Sequence, residues 1–88
     1  MFEEETAVAW KAVPREAVVV AGDGTELGAV DEILGDEDED IFHGLVLRRG
    51  DGENVEVPAG RITKMTMQHV ITDLTQDETR ELPAYRER

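Results

Sequence analysis

The alternation of apolar and polar residues along the chain predicts a molecule built mainly from short β-strands. Val18–Val20 is β-branched throughout, and residues 41–49 and 53–58 alternate on either side of a glycine-rich turn. Residues 64–74 also fit a helical spacing, but their Thr, Val and Ile content favours a strand, or a hairpin that bends near Gln68-His69. Short strands joined by tight turns are typical of a small β-barrel.

The first predicted hairpin turns at Asp23-Gly24, a dipeptide that favours a two-residue type I′ turn with positive φ at both positions. This turn would set the following residues opposite each other: Val20 and Leu27, Val19 and Gly28, Val18 and Ala29. A glycine within a strand usually marks a bulge, a bend or a close approach of backbones. Asp23, Gly24 and Gly28 are therefore predicted to be structural. The stretch lacks the spacing of a phosphate-binding loop.

The second predicted hairpin has a three-residue loop at 50–52, which places Leu47 opposite Val55 and Leu45 opposite Val57 on the inner face. The outer face of the same strand then carries apolar Phe42 and Val46, which something must cover. We predict that both residues contact a protein partner.

Arg48 and Arg49 form the basic pair at the end of this strand. They either balance neighbouring acids or bind a partner carboxylate, since guanidinium groups bind carboxylates in bidentate fashion. We include them among the candidate partner-binding residues.

The N-terminal end of the chain is expected to be extended and the C-terminal end helical. Residues 1–14 are predicted as an extended arm or a short strand, because Pro14 keeps Val13 out of the helical region. Trp10 is expected to plug the core rather than to serve as a ligand platform. Thr75 and Glu78 match a capping box, so a short helix is predicted from Gln76 to Leu82.

Net charge narrows the range of partners. The chain has 88 residues, with 21 Asp and Glu against nine Lys and Arg, and a formal charge of −12. Such a chain is unsuited to nucleic acid or anionic lipid, which both require cations, and suits a basic protein or a cation. Without cysteine, a signal-peptide pattern or a long apolar run, we expect a cytoplasmic protein that does not insert into membranes.

The acidic run at 35–40 is predicted to be a solvated loop. Asp36, Asp38 and Asp40 are the candidates for cation ligands, but an EF-hand would need glycine and glutamate where Ile41 and Leu47 stand. No dedicated metal site and no cofactor are predicted. A cation- or small-ligand-binding domain that uses the 31–40 loop remains the alternative function.

Catalytic patterns are absent from the sequence. The chain contains no serine, and neither His43 nor His69 has a second histidine or a cysteine at ligand spacing. We therefore expect a non-enzymatic protein.

Four stretches together resemble the PRC-barrel domain family. They are V-x-x-x-D-G-x-x-L-G-x-V at 19–30, IFHGLVLRRG at 41–50, VEVPAGRITKM at 55–65 and VITDLTQDETRELPAY at 70–85. The resemblance implies an all-β fold, a small antiparallel PRC-barrel-like β-barrel of about six strands with a short C-terminal helix. Residues 15–85 would form this domain, and 86–88 would be a tail.

The resemblance also implies a role in protein–protein contact, with no active-site residues to transfer. We therefore expect an adaptor or assembly module. Its partner would be a protein, in particular a basic one, and a homodimer is among the candidates.

Overall fold

The computed structural model describes residues 4–85, which form six strands, one short helix and two 3-10 turns. The strands are β1 (Val18–Val20), β2 (Glu26–Asp36), β3 (Ile41–Arg49), β4 (Asn54–Pro58), β5 (Ile62–Met65) and β6 (His69–Thr72). The helix, α1, spans Gln76–Glu81, and the 3-10 turns span Trp10–Ala12 and Ala59–Arg61. The mostly-β fold with a short C-terminal helix is therefore confirmed.

The predicted antiparallel barrel is only partly right, because the six strands form an open mixed sheet in the order β4-β3-β2-β1-β6-β5. β1 pairs with β6 in parallel, whereas the other neighbours are antiparallel. The reason is that one side of β1 is already taken by β2. The chain crosses through Ala59–Arg61 before the β5–β6 hairpin forms, so β6 reaches the other side of β1 in the same direction.

The predicted two-residue turn at Asp23-Gly24 is wrong, because the loop has three residues. Ala21 N donates to Thr25 O at 2.8 Å and Gly24 N to Ala21 O at 2.9 Å. Gly24 has φ 90°, and Asp23 is not among the positive-φ residues. A three-residue hairpin loop of this kind ends in a glycine with positive φ, whereas a type I′ turn needs positive φ at both positions.

The loop at 50–52 repeats this arrangement. Gly52 N donates to Arg49 O and Arg49 N to Glu53 O, both at 2.9 Å. In each Gly-Asp-Gly loop the aspartate Oδ1 accepts the backbone N–H two residues later, at 2.9 Å for Asp23 and 3.0 Å for Asp51. These hydrogen bonds are the main reason that the pKa of each aspartate lies below its ordinary value.

A bulge in β2 restores the predicted register beyond the first turn. Val20 pairs with Glu26, and the register then shifts so that Val19 faces Gly28 as predicted. Gly28 has φ 154°, and a Cβ there would lie 2.1 Å from the carbonyl oxygen of Arg48. Of the three features that a glycine within a strand can mark, Gly28 shows the close approach of two backbones.

The β3–β4 hairpin has the predicted register, with Leu45 opposite Val57 and Leu47 opposite Val55. These four residues are buried at the centre of the core. The other buried apolar residues of the cluster are Val13, Ala17, Val19, Val30, Val70 and Leu74. The predicted bend near Gln68-His69 is also confirmed, since β5 and β6 form an antiparallel hairpin.

The N-terminal segment packs against the sheet, and its described part, residues 4–14, contains no strand. Val13 is buried in the core, and Val8 N donates to Met65 O at 2.9 Å. The Glu5 carboxylate accepts from Thr66 Oγ1 at 2.5 Å and lies 2.7 Å from His69 Nδ1. These two contacts hold the pKa of Glu5 below its ordinary value.

The C-terminal segment begins with the predicted capping box, since Thr75 Oγ1 accepts from Glu78 N and Glu78 Oε1 from Thr75 N, both at 3.1 Å. The helix ends at Glu81, one residue before the predicted end. Glu56 N donates to Pro83 O and Tyr85 N to Asn54 O, so the chain after α1 covers part of the β4 edge. The predicted tail at 86–88 lies outside the described residues.

Candidate functional site

The apolar residues predicted to face a partner are covered by the chain itself. Phe42 is half-buried and stacks on Trp10, with ring centroids 5.7 Å apart and planes at 19°. Val46 has 0% of its surface exposed. Val46 therefore offers no surface to a partner, although its predicted position on the outer face is confirmed by its pairing with Glu32 and Glu56.

Trp10 lies against the glycine that precedes the acidic run. A Cβ on Gly35 would lie 2.7 Å from the Trp10 ring, and Gly35 pairs with Phe42 across β2 and β3. The glycine thus leaves the space that the indole fills. The predicted core position of Trp10 is wrong, because the ring is half-buried outside the core cluster and lies against Gly35 and Phe42. The signal for these contacts is a glycine in β2 directly opposite an aromatic residue in β3.

Arg48 is engaged by acids of the same chain. Its guanidinium pairs with the Glu16 carboxylate, and Nη1 lies 3.5 Å from Asp31 Oδ1. The hydrogen bond from Arg48 lowers the pKa of Glu16. Of the two roles considered for Arg48, its contacts match the balancing of neighbouring acids.

Arg49 is likewise held within the chain. Its Nη2 donates to Asp51 Oδ2 at 2.8 Å, and Nη1 lies 3.5 Å from the carbonyl oxygen of Thr79. The side chain is only 18% exposed. Little of the Arg49 guanidinium is therefore available to a partner carboxylate.

The run at 35–40 is exposed throughout, as predicted for a solvated loop, but its first two residues belong to β2, which continues to Asp36 opposite Ile41. Asp36 Oδ1 accepts from the backbone N–H groups of Asp38 (3.0 Å) and Glu39 (3.2 Å). Asp40 has φ 55° and lies 3.3 Å from Lys11 Nζ. Within residues 4–85, no three carboxylate or imidazole side chains form a group that could hold a metal ion.

A cleft lies between the N-terminal segment, β2 and the C-terminal end of the described chain, and we call it the Trp10 cleft. Its volume is about 430 Å³, at the lower end of the range for ligand sites. Its lining includes two aromatic rings, Trp10 and Tyr85, and three acids, Asp31, Glu32 and Glu37. Lys11 and Arg15 also line it.

Both cations of the cleft are held in place by neighbouring oxygens. Arg15 Nε donates to Asp31 O at 2.7 Å. The Lys11 ammonium lies 5.5 Å from the centroid of its neighbour Trp10 and donates to Glu37 O at 3.4 Å, besides its contact with Asp40. The cleft thus already binds one ammonium group through an aromatic ring and oxygen atoms.

Several cations of the chain are paired with carboxylates of the same chain. The pairs are Lys11 with Asp40, Arg48 with Glu16 and Asp31, Arg49 with Asp51, Arg61 with Asp73 and Glu78, and Arg80 with Asp77. No Lys, Arg or His of the described chain lies within ion-pair distance of Glu32, Glu37, Asp38 or Glu39. We call these four exposed acids the acidic rim, because Glu32 and Glu37 line the cleft and the other two lie in the adjoining turn.

No helix formed by residues 4–85 has the length and apolar character needed to span a bilayer. A comparison with curated proteins finds no match. The family model of the PRC-barrel domain matches residues 14–78, which include all six strands and the first half of the C-terminal helix. The chain therefore belongs to the PRC-barrel domain family.

Proposed function

We propose that this protein is a non-enzymatic interaction module that binds a basic protein through the acidic rim. One observation carries the proposal: four exposed carboxylates that share one turn and the adjoining cleft have no cation partner among the described residues, whereas acids such as Asp31, Asp40 and Asp73 have one. Carboxylates that are grouped on a folded surface attract a basic partner and orient it as it approaches. The PRC-barrel fold supports this role because such domains often mediate protein contacts.

The site proposed here differs from the apolar face predicted from the sequence. Val46 is buried, Phe42 stacks on Trp10, and Arg48 and Arg49 are paired internally. The acidic rim is exposed and lies along one end of β2 and its turn. It therefore needs no rearrangement of the sheet before a partner binds.

The test is a pull-down with the tagged chain at about 0.1 M and about 0.5 M salt, because screening at the higher salt weakens contacts between exposed charges. We expect one or a few basic proteins at low salt and their loss at high salt. The variant E37Q/D38N/E39Q should lose them too. E26Q/E53Q/E81Q removes the same number of charges from other exposed positions and should retain them. Equal recovery with both variants would contradict the proposal.

Self-association is the second candidate. β5 is an edge strand, and a groove of about 280 Å³ lies beside it, lined partly by Val8, Phe42, Ile62 and Met65. Edge strands are common sites of pairing with a second chain. Sedimentation between about 10 and 500 µM tests this, and a constant monomer mass would contradict it.

A further inference from the structure

We propose that the Trp10 cleft receives an arginine side chain of the basic partner. This inference rests on the proposed function and names the residue type that the acidic rim recognises. The cleft combines aromatic rings at Trp10 and Tyr85 with the carboxylates of Glu32 and Glu37. A guanidinium group suits this lining because it stacks on aromatic rings and binds carboxylates through a planar fork of donors.

The charge in the cleft favours an incoming cation. Arg15 is held by the carbonyl oxygen of Asp31, and Lys11 by Asp40 and the carbonyl oxygen of Glu37. Neither cation neutralises the carboxylate of Glu32 or Glu37. These two exposed carboxylates therefore remain to pair with a charge from outside the described chain.

Lys11 already makes both kinds of contact, with an aromatic ring and with a carboxylate, within this chain. Its ammonium lies 5.5 Å from the Trp10 ring centroid and 3.3 Å from a carboxylate oxygen. Cations within about 6 Å of an aromatic centroid are attracted by the ring. An arginine from the partner would pair with Glu32 and Glu37, which line the same cleft as the Trp10 ring.

The size of the cleft also fits one side chain. Its volume of about 430 Å³ is small for a folded element but sufficient for one long side chain with the backbone on either side. An extended segment of the partner carrying one arginine is therefore the occupant we infer.

The experiment titrates the protein with the capped peptide Ac-(Gly-Arg)3-NH2 and with its lysine and glutamate counterparts. Trp10 is the chain's single tryptophan, so its fluorescence reports on the cleft. We expect a saturable change with the arginine peptide, weaker binding of the lysine peptide and none of the glutamate peptide. E32Q/E37Q should weaken arginine binding by about fivefold or more, as expected for the loss of two charge contacts.

The matched control is E26Q/E53Q, which removes two exposed acids that do not line the cleft. It should weaken binding by less than about twofold, through the change in net charge alone. Thermal unfolding of both variants shows that the sheet is intact. Equal weakening by the two variants, or binding that leaves Trp10 fluorescence unchanged, would overturn the arginine site. Either result would leave the proposed function standing if the pull-down still distinguished its own pair of variants.

Discussion

Trp10 and Phe42 stack with ring centroids 5.7 Å apart, and the indole fills the space above Gly35. The residue predicted to bind a partner thus helps to hold the N-terminal segment on the sheet. Glu5 and Val8 hold the same segment farther along, at the β5–β6 end. Substitution of Phe42 is therefore expected to affect the stability of the fold, whether or not a partner is present.

Phe42→Ala should lower the free energy of unfolding by about 1 to 2 kcal/mol, because it removes an aromatic pair and part of a half-buried ring. Thermal unfolding should shift down by roughly 4–8 °C per kcal/mol for a domain of this size. Trp10 emission should move to longer wavelength. The control is Ile41→Ala, which truncates a neighbour that is 47% exposed and should change stability by less than about 0.5 kcal/mol. Unchanged emission in the Phe42 variant would contradict the stacked arrangement.

Gly28→Ala should destabilise the protein severely, on the order of 3 kcal/mol or more, because the new Cβ would lie 2.1 Å from the carbonyl oxygen of Arg48. β2 and β3 would have to separate at the centre of the sheet. Gly50→Ala is the matched control, since no atom lies within 4 Å of a Cβ there. Urea unfolding of both variants measures the difference. Similar midpoints for the two would show that the strands do not approach as described.

Asp23 and Asp51 should titrate below their ordinary pKa of 3.8, because each carboxylate accepts a backbone N–H in its turn. The unfolded chain therefore binds more protons than the folded one between the two pKa values. The resulting stabilisation is complete above the unfolded pKa and is lost as the pH falls through the folded pKa. NMR titration of the carboxyl carbons measures these pKa values directly. Midpoints at or above 3.8 would be incompatible with these hydrogen bonds.

Calcium at micromolar concentration should leave the thermal midpoint unchanged. Asp36 is engaged by backbone N–H groups and Asp40 by Lys11, so the predicted ligands do not converge. Millimolar Ca²⁺ and Mg²⁺ should both raise the midpoint to a similar extent by screening the net charge of −12. A saturable, calcium-specific rise that Asp38→Asn abolishes would instead support the cation-binding alternative.

Local patterns predicted much of the fold. The register of the β3–β4 hairpin, the capping box at Thr75 and the tight approach at Gly28 each depend on residues close in sequence or on one tight turn. The Gly-Asp-Gly triplets at 22–24 and 50–52 form the same three-residue loop, but the first was wrongly predicted because Asp-Gly also favours a two-residue turn. The wrong loop length did not change the predicted pairing of Val19 with Gly28, because the bulge in β2 compensates for the extra loop residue.

Contacts between distant segments could not be predicted in the same way. The parallel pairing of β1 with β6 joins Val18 to His69, and no local pattern encodes it. The cover over Phe42 comes from Trp10, and the cleft needs both ends of the chain, at Trp10 and at Tyr85. Alternation identifies which residues face outward, but the packing of remote segments determines which of those remain exposed.

The parallel pairing of β1 and β6 also means that β1 gains its second neighbour only late in synthesis of the chain. The antiparallel β1–β4 meander needs only residues up to 58, whereas β6 begins at His69. Until His69 has left the ribosome, β1 has no neighbour on one side and is a site for aberrant pairing with other chains. Closure of this long loop is an entropic cost that local hairpins do not carry, so docking of the β5–β6 hairpin should be the slow step of folding.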